Sequence, residues 1–111
     1  MVSVSTITCS WNGKKFLKDW ADALKKQSYR DFEVILVDNG STDGTSDFIK
    51  RYYPWIKRVR NEKNLGFSSR VNRGVEETSG DIVILLNTDA IPEKGFLIPF
   101  LSGLGRAVQP I

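Results

Sequence analysis

Histidine is missing from this 111-residue chain, and cysteine occurs once, as Cys9. Without histidine there is no His-ligated zinc site, no Ser-His-Asp triad and no imidazole general base. A lone cysteine forms no intrachain disulfide. Cysteine usage therefore gives no reason to expect secretion, and a reducing cytoplasm is the expected setting. The longest apolar run is residues 82–86 (IVILL), far short of the roughly 20 residues that span a bilayer, so no transmembrane segment is expected. The opening stretch MVSVSTITCSWNG has neither the basic start nor the apolar core of a signal peptide. No sign of charge dominates: 16 Lys and Arg against 13 Asp and Glu leave +3. The cations stand in short groups with acids among them, whereas nucleic-acid binders show a basic stripe, so nucleic acid is not an expected partner. The glycines form neither GxGxxG nor GxxxxGK[ST], which leaves dinucleotide and P-loop readings unsupported. Residues 38–44 (DNGSTDG) also fail as a calcium loop, because the sixth residue from Asp38 is Asp43 and the twelfth is Ile49, where Gly and Glu are required. A phospho-receiver domain needs an acidic pair after its first strand, and this chain has Cys9-Ser10 there.

Apolar residues make up 41% and charged residues 26%, an ordinary globular balance for a single domain over residues 1–111. Residues 2–9 (VSVSTITC) are rich in Val, Ile and Thr and read as a strand, with Val2, Val4, Thr6 and Thr8 on one face. Over residues 14–26, Phe16, Leu17, Trp20, Ala21, Ala23 and Leu24 recur at helical spacing. FEVILV at 32–37 is a near-continuous apolar run, the pattern of a strand covered on both faces. Ser41 or Thr42 is expected to cap the next helix, with Asp43 in its first turn. That helix carries Phe48, Ile49 and Tyr52 and stops before Pro54. Residues 56–60 read as a short strand and 61–66 as a polar loop. A third helix follows over 67–78, with Val71 and Val75 on its apolar side, and then a strand over 82–86. A turn at 87–92, a helix at 93–101 and the opening of a last strand at 107–111 complete the reading. The β-α alternation with short links predicts an α/β fold with a parallel sheet and helices on both faces.

Ligands bind such sheets outside the carboxyl ends of the strands. Here those ends are residues 10–13, 38–44, 61–66 and 87–90, all polar. The DNGSTDG segment offers carboxylates, hydroxyls and free amide N–H groups to a polar ligand, and equally fits a capped turn. Asn87-Thr88-Asp89 fits a magnesium-type site, where one or two carboxylates act with substrate phosphates, or an Asx-turn. Asn64-Leu65-Gly66 opens a helix that continues to Asn72 and Gly74, and Gly66 permits close approach of backbone to a ligand. Trp20 is expected in the core and Trp55 as a packing plug. Trp11 lies in a strand-end loop, where stacking on a base and ordinary packing are both open. Cys9 reads as a small core residue.

In this order, VSTITCSWNG (4–13), DFEVILVDNGSTDG (31–44), RNEKNLG (60–66), Asn72 with Gly74, and GDIVILLNTD (80–89) resemble the donor-binding half of family 2 glycosyltransferases. The Asn-x-Asp after the fourth strand is most similar to a rhamnosyltransferase-like subgroup. The resemblance implies a Rossmann-like nucleotide-diphospho-sugar transferase fold, inverting sugar transfer, and Mg²⁺ or Mn²⁺ as cofactor. It implies that Ser10, Trp11 and Asn12 line a nucleoside pocket and that Asp38 accepts a hydrogen bond from a uracil or thymine edge. Ser41 and Asp43 would shape the pocket floor, Asn64, Gly66 and Asn72 would flank the nucleotide, and Asp89 would hold the metal. The donor would be a UDP- or dTDP-sugar, and the acceptor is left open.

The chain departs from the pattern at Asn87, where the family pairs two acids. It also stops where the family's acceptor half begins, and no general base is assignable. The expectation is a donor domain truncated before the acceptor half, which needs a second chain or a second copy of itself to transfer sugar. Homo-oligomer formation through the uncovered carboxyl-terminal region is expected. The alternative is a non-catalytic nucleotide-sugar-binding module or a truncated remnant.

Overall fold

The structure, a computed structural model, describes residues 3–27 and 32–86. It is a parallel four-stranded sheet in the order β3-β2-β1-β4. The elements are β1 (Val4–Ser10), α1 (Lys14–Lys25), β2 (Phe32–Asn39), α2 (Thr45–Tyr52), β3 (Lys57–Asn61), α3 (Phe67–Val75) and β4 (Ile82–Leu85). The expected α/β alternation is present. The expected helix at 93–101, the strand at 107–111 and the Asn87–Asp89 turn lie outside the described residues. Among the described residues no helix is long and apolar enough to cross a membrane.

Side-chain alternation along the strands divides the core in two. Val4, Val34, Leu36 and Ile84 face Leu17, Trp20, Ala21 and Leu24 of α1 and Ile49 of α2. Ile7, Ile35, Val37 and Val59 face the other way, toward α3, so helices cover both faces of the sheet. Trp20 is fully buried as expected, and its indole N–H donates to the Thr8 hydroxyl at 3.1 Å, which satisfies the one polar atom it brings inside. Trp55 is not a plug: it is 42% exposed and meets Tyr53 edge-on.

Two local expectations are corrected. Neither Ser41 nor Thr42 caps α2. Gly44 stands at the N-cap with φ +86°, and Asp43 lies before the helix and reaches forward to it. The buried face of α3 is centred on Gly74, while Val75 is 43% exposed. A Cβ at Gly74 would lie 2.7 Å from Ile7 Cγ2 and 3.1 Å from Val37 Cγ2, so the missing side chain lets α3 settle directly on β1 and β2. Tyr52, expected on the apolar side of α2, is 58% exposed.

The register brings the strand ends level. Ser10 pairs with Asp38, Asp38 with Arg60, and Asn39 with Asn61. The chain steps outward from β1 to β2 to β3 and then returns to the far side of β1 as β4. A crevice at the carboxyl end of β1 is the expected consequence of that reversal.

Candidate functional site

The site is built from the loops that leave β1 and β2 and from the turn that opens α3. Asn12, in the first loop, adopts φ +50°, a conformation that Asn tolerates better than most side chains. Its carboxamide oxygen accepts the Thr42 N–H at 2.8 Å, and its own N–H donates to the Ser41 hydroxyl at 2.9 Å. The first two loops are therefore latched together by side chain and main chain in both directions.

Asp38 anchors that latch from below. Its side chain is fully buried. One oxygen accepts the Ser41 N–H at 2.9 Å, and the other accepts the Ser46 hydroxyl at 2.6 Å and the Arg60 guanidinium at 2.7 Å. Burial pushes this carboxyl up, but the Ser41 and Ser46 hydrogen bonds and the Arg60 charge outweigh it and hold it below the usual aspartate range. Arg60 also donates to the Ser41 carbonyl at 3.1 Å, so one guanidinium grips both ends of the turn. Asp43 has a similar role farther out. It accepts the Lys14 N–H at 3.0 Å, and the Thr45 N–H and hydroxyl at 3.1 and 2.6 Å. One carboxylate thus serves the first turns of both α1 and α2, where orphan N–H groups and the helix dipole favour negative charge.

Asn39, absent from the residues singled out by sequence, joins the second loop to the third. Its amide N–H groups donate to Asn64 Oδ1 at 2.6 Å and to the Leu65 carbonyl at 3.0 Å. Its oxygen accepts the Asn61 amide and the Leu65 N–H, both at 3.0 Å. Gly40 follows with φ +84°, and a Cβ there would lie 2.7 Å from the Lys63 carbonyl carbon. The two loops meet backbone against backbone, which only glycine allows.

Between these loops lies an open groove of about 230 Å³ lined by Cys9, Ser10, Trp11, Asn39, Asn64 and Arg70. Of the residues expected at a nucleotide site, the structure brings Ser10, Trp11 and Asn64 to the groove. Trp11 is 56% exposed and presents its aromatic ring to solvent. Ser10 is buried, and among the described residues its hydroxyl has no hydrogen-bond partner. Asn12, Asp38, Ser41 and Asp43 do not line the groove; they form the latch behind it. This displaces the expectation that Asp38 is open to a base edge, because both of its oxygens are engaged within the protein. A Cβ at Gly66 would meet nothing within 4 Å, so the space beside it is open. Asn72 is exposed on α3 and is not among the lining residues.

Cys9, expected in the core, is half-buried and forms part of the groove wall. Burial pushes its thiol up, and the neighbouring Arg70 guanidinium offsets only part of the rise, so Cys9 is poorly suited to act as a nucleophile. Arg70, like Asn39, was not singled out by sequence. The signal available for both was position alone: one ends a buried strand, the other lies in the first turn after Asn64-Leu65-Gly66. No group of three His, Cys, Asp or Glu side chains suited to a metal occurs among the described residues. Asp38 and Asp43 are already taken by N–H and O–H donors, so neither is free to ligate one.

Comparison with known proteins agrees with this architecture. A family model described as Glycosyl transferase family 2 matches residues 5–107. A Bacillus subtilis protein provisionally assigned as a teichuronic acid biosynthesis glycosyltransferase is 34% identical over 89 residues, 78% of this chain and 35% of that protein. TarS from S. aureus, solved as residues 1–349, aligns with a TM-score of 0.81 and 26% identity over 90% of this chain and 31% of its own. The same protein has been solved with UDP-GlcNAc. A mannosyltransferase from Pyrobaculum calidifontis, solved with GDP-Man and Mn²⁺, aligns with a TM-score of 0.79 over 87% of this chain and 30% of its own. At 24% identity, that likeness speaks to the fold alone. The chain spans about a third of the length of the curated relatives it matches, between 27% and 35% for the first three.

Proposed function

Since the chain belongs to glycosyl transferase family 2, we propose that the groove at the carboxyl ends of β1 and β2 binds a nucleotide-diphospho-sugar and that the chain is the donor half of a sugar transferase. The observation that carries this reading is the groove itself. It pairs an exposed aromatic ring, Trp11, with a buried hydroxyl that lacks a partner among the described residues, Ser10, at the strand ends where such sheets take ligands. Trp11 stacks on the base, a mode that tolerates several bases. Asn64 reaches the ligand with the amide N–H groups left free by its bond to Asn39. Asp38, with Arg60 and Ser41, fixes the loop that carries the rim and acts through it. The donor is read as a UDP- or dTDP-sugar, in keeping with the UDP-GlcNAc complex of TarS.

Asp89, two residues after Asn87 in the sequence, is our assignment for the metal, Mg²⁺ or Mn²⁺. A bound divalent cation would neutralise charge on the leaving diphosphate. The Asn-x-Asp pattern is also the basis for reading the chain as rhamnosyltransferase-like. Transfer to an acceptor requires a base within hydrogen-bond reach of the attacking hydroxyl, and we assign that role to a second chain or a second copy of this one. The cytoplasmic setting rests on cysteine usage alone.

Calorimetric titration with UDP and dTDP, with and without Mn²⁺, tests the reading. Binding is expected to weaken about tenfold or more in Trp11→Ala through loss of stacking, and the gain from Mn²⁺ should vanish in Asp89→Ala. No binding of either nucleotide at millimolar concentration overturns it. Nucleotide release from the matching sugar donors, measured with candidate partner chains, then separates transfer from binding alone.

A further inference from the structure

The groove has a second chemical character besides its aromatic rim. Arg60 and Arg73, the other guanidiniums near these strand ends, are committed: Arg60 to Asp38 and the Ser41 carbonyl, Arg73 to Asn61 at 3.0 Å and to Glu76. Arg70 is different. It lies over the Phe67 ring, stands within hydrogen-bond reach of the Cys9 thiol, and its bond to the Leu65 carbonyl is long at 3.5 Å. Among the described residues no carboxylate pairs with it. Guanidinium presents five N–H donors, so most of its capacity remains open toward the groove it lines.

Ser10 lines the same groove and is 3% exposed, and its buried hydroxyl has no hydrogen-bond partner among the described residues. A buried hydroxyl without a partner is a standing cost to the fold, and a ligand that accepts its hydrogen removes that cost. No described carboxylate lines the groove beside it. A half-buried cation, a buried hydroxyl donor and the free Asn64 amide together select an anionic ligand rich in oxygen acceptors.

We propose that Arg70 and Ser10 form an oxyanion subsite that takes the diphosphate of the bound nucleotide. The guanidinium supplies charge from the protein wall, where planar, forked donors match phosphate oxygens, and the Ser10 hydroxyl donates to an oxygen deeper in the groove. This rests on the nucleotide reading above and adds to it that diphosphate affinity persists without a divalent metal. The same chemistry would accept free pyrophosphate, so the test separates the two sources.

The experiment is calorimetric titration in EDTA with uridine, UDP and sodium pyrophosphate, using the wild type, Arg70→Gln, Arg70→Lys and Ser10→Ala. The wild type is expected to bind UDP about tenfold to a hundredfold more tightly than uridine. Arg70→Gln should bring UDP to the uridine level while leaving uridine unchanged, which also certifies that the variant is folded. Arg70→Lys should restore part of the difference. Ser10→Ala should weaken UDP several-fold yet melt no lower than the wild type, because the hydroxyl bonds none of the described residues. An unchanged UDP-to-uridine ratio in Arg70→Gln overturns the subsite and leaves the nucleotide reading standing. Pyrophosphate binding that depends on Arg70, without uridine or UDP binding, upholds the subsite and overturns the nucleotide reading. No binding of any of the three overturns both.

Discussion

Single carboxylates decide how the loops are held. Asp43 accepts from the first turns of two helices at once, so Asp43→Ala removes two caps. At roughly 0.5–2 kcal/mol per cap, a loss of about 1–4 kcal/mol is expected in urea unfolding. Asp38 and Asp43 are both held below their usual range, burial being outweighed by the hydrogen bonds they accept. A carboxylate depressed in the folded state stabilises the protein fully above its unfolded value and loses that contribution as pH falls through the folded one. Melting temperature should therefore be level near neutrality and fall on acidification below about pH 4. Asp38→Asn should flatten that acid limb, and an unchanged limb would remove Asp38 from the account. Sequence composition marked these acids as important but did not show their direction. Asp38 and Asp43 read equally well as ligand contacts or as turn braces, and only the partners of their oxygens decide between the two.

At the scale of the element, α3 shows what periodicity conveys and what it misses. A spacing of four placed Val71 and Val75 on one side, and the helix exists. Yet its contact with the sheet is made where there is no side chain to register as apolar. Replacing Gly by Ala inside a helix ordinarily helps by about 1 kcal/mol. At Gly74 the added methyl meets Ile7 Cγ2 at 2.7 Å, and overpacking of this kind costs about 1–3 kcal/mol. Gly74→Ala is thus expected to lower the melting temperature, and a stabilised variant would mean that α3 can lift from the sheet without cost. The capping of α2 was misjudged for a related reason. Ser41 and Thr42 are good caps by type, but Gly44 takes the position because the chain must turn there through positive φ.

For the whole molecule, the parallel sense of the strands and the two-faced core followed from alternation of apolar runs with helical stretches, whereas the strand order did not. The groove was legible as a place, the carboxyl ends of the strands, but not as a list of residues. Asn39 and Arg70 enter it through register and helix approach, which no local pattern encodes. At the border of the described sheet, β3 carries Lys57, Arg58 and Arg60 along its length. Cations on an edge strand discourage pairing with another sheet. Lys57→Val combined with Arg58→Val is expected to increase self-association in light scattering, with no change in circular dichroism at low concentration. Equal scattering from variant and wild type would show that the strand is protected in some other way.

The contact at Gly40 bears on how such a chain can diverge. Where the second and third loops touch, main chain meets main chain, so the span between the opposing walls is dictated by the scaffold and is indifferent to which side chains decorate it. Exchanging Trp11 for another residue alters what is gripped without altering the calibre of the opening. New preferences can then arise by one replacement at a time, while the frame that holds them stays as it is.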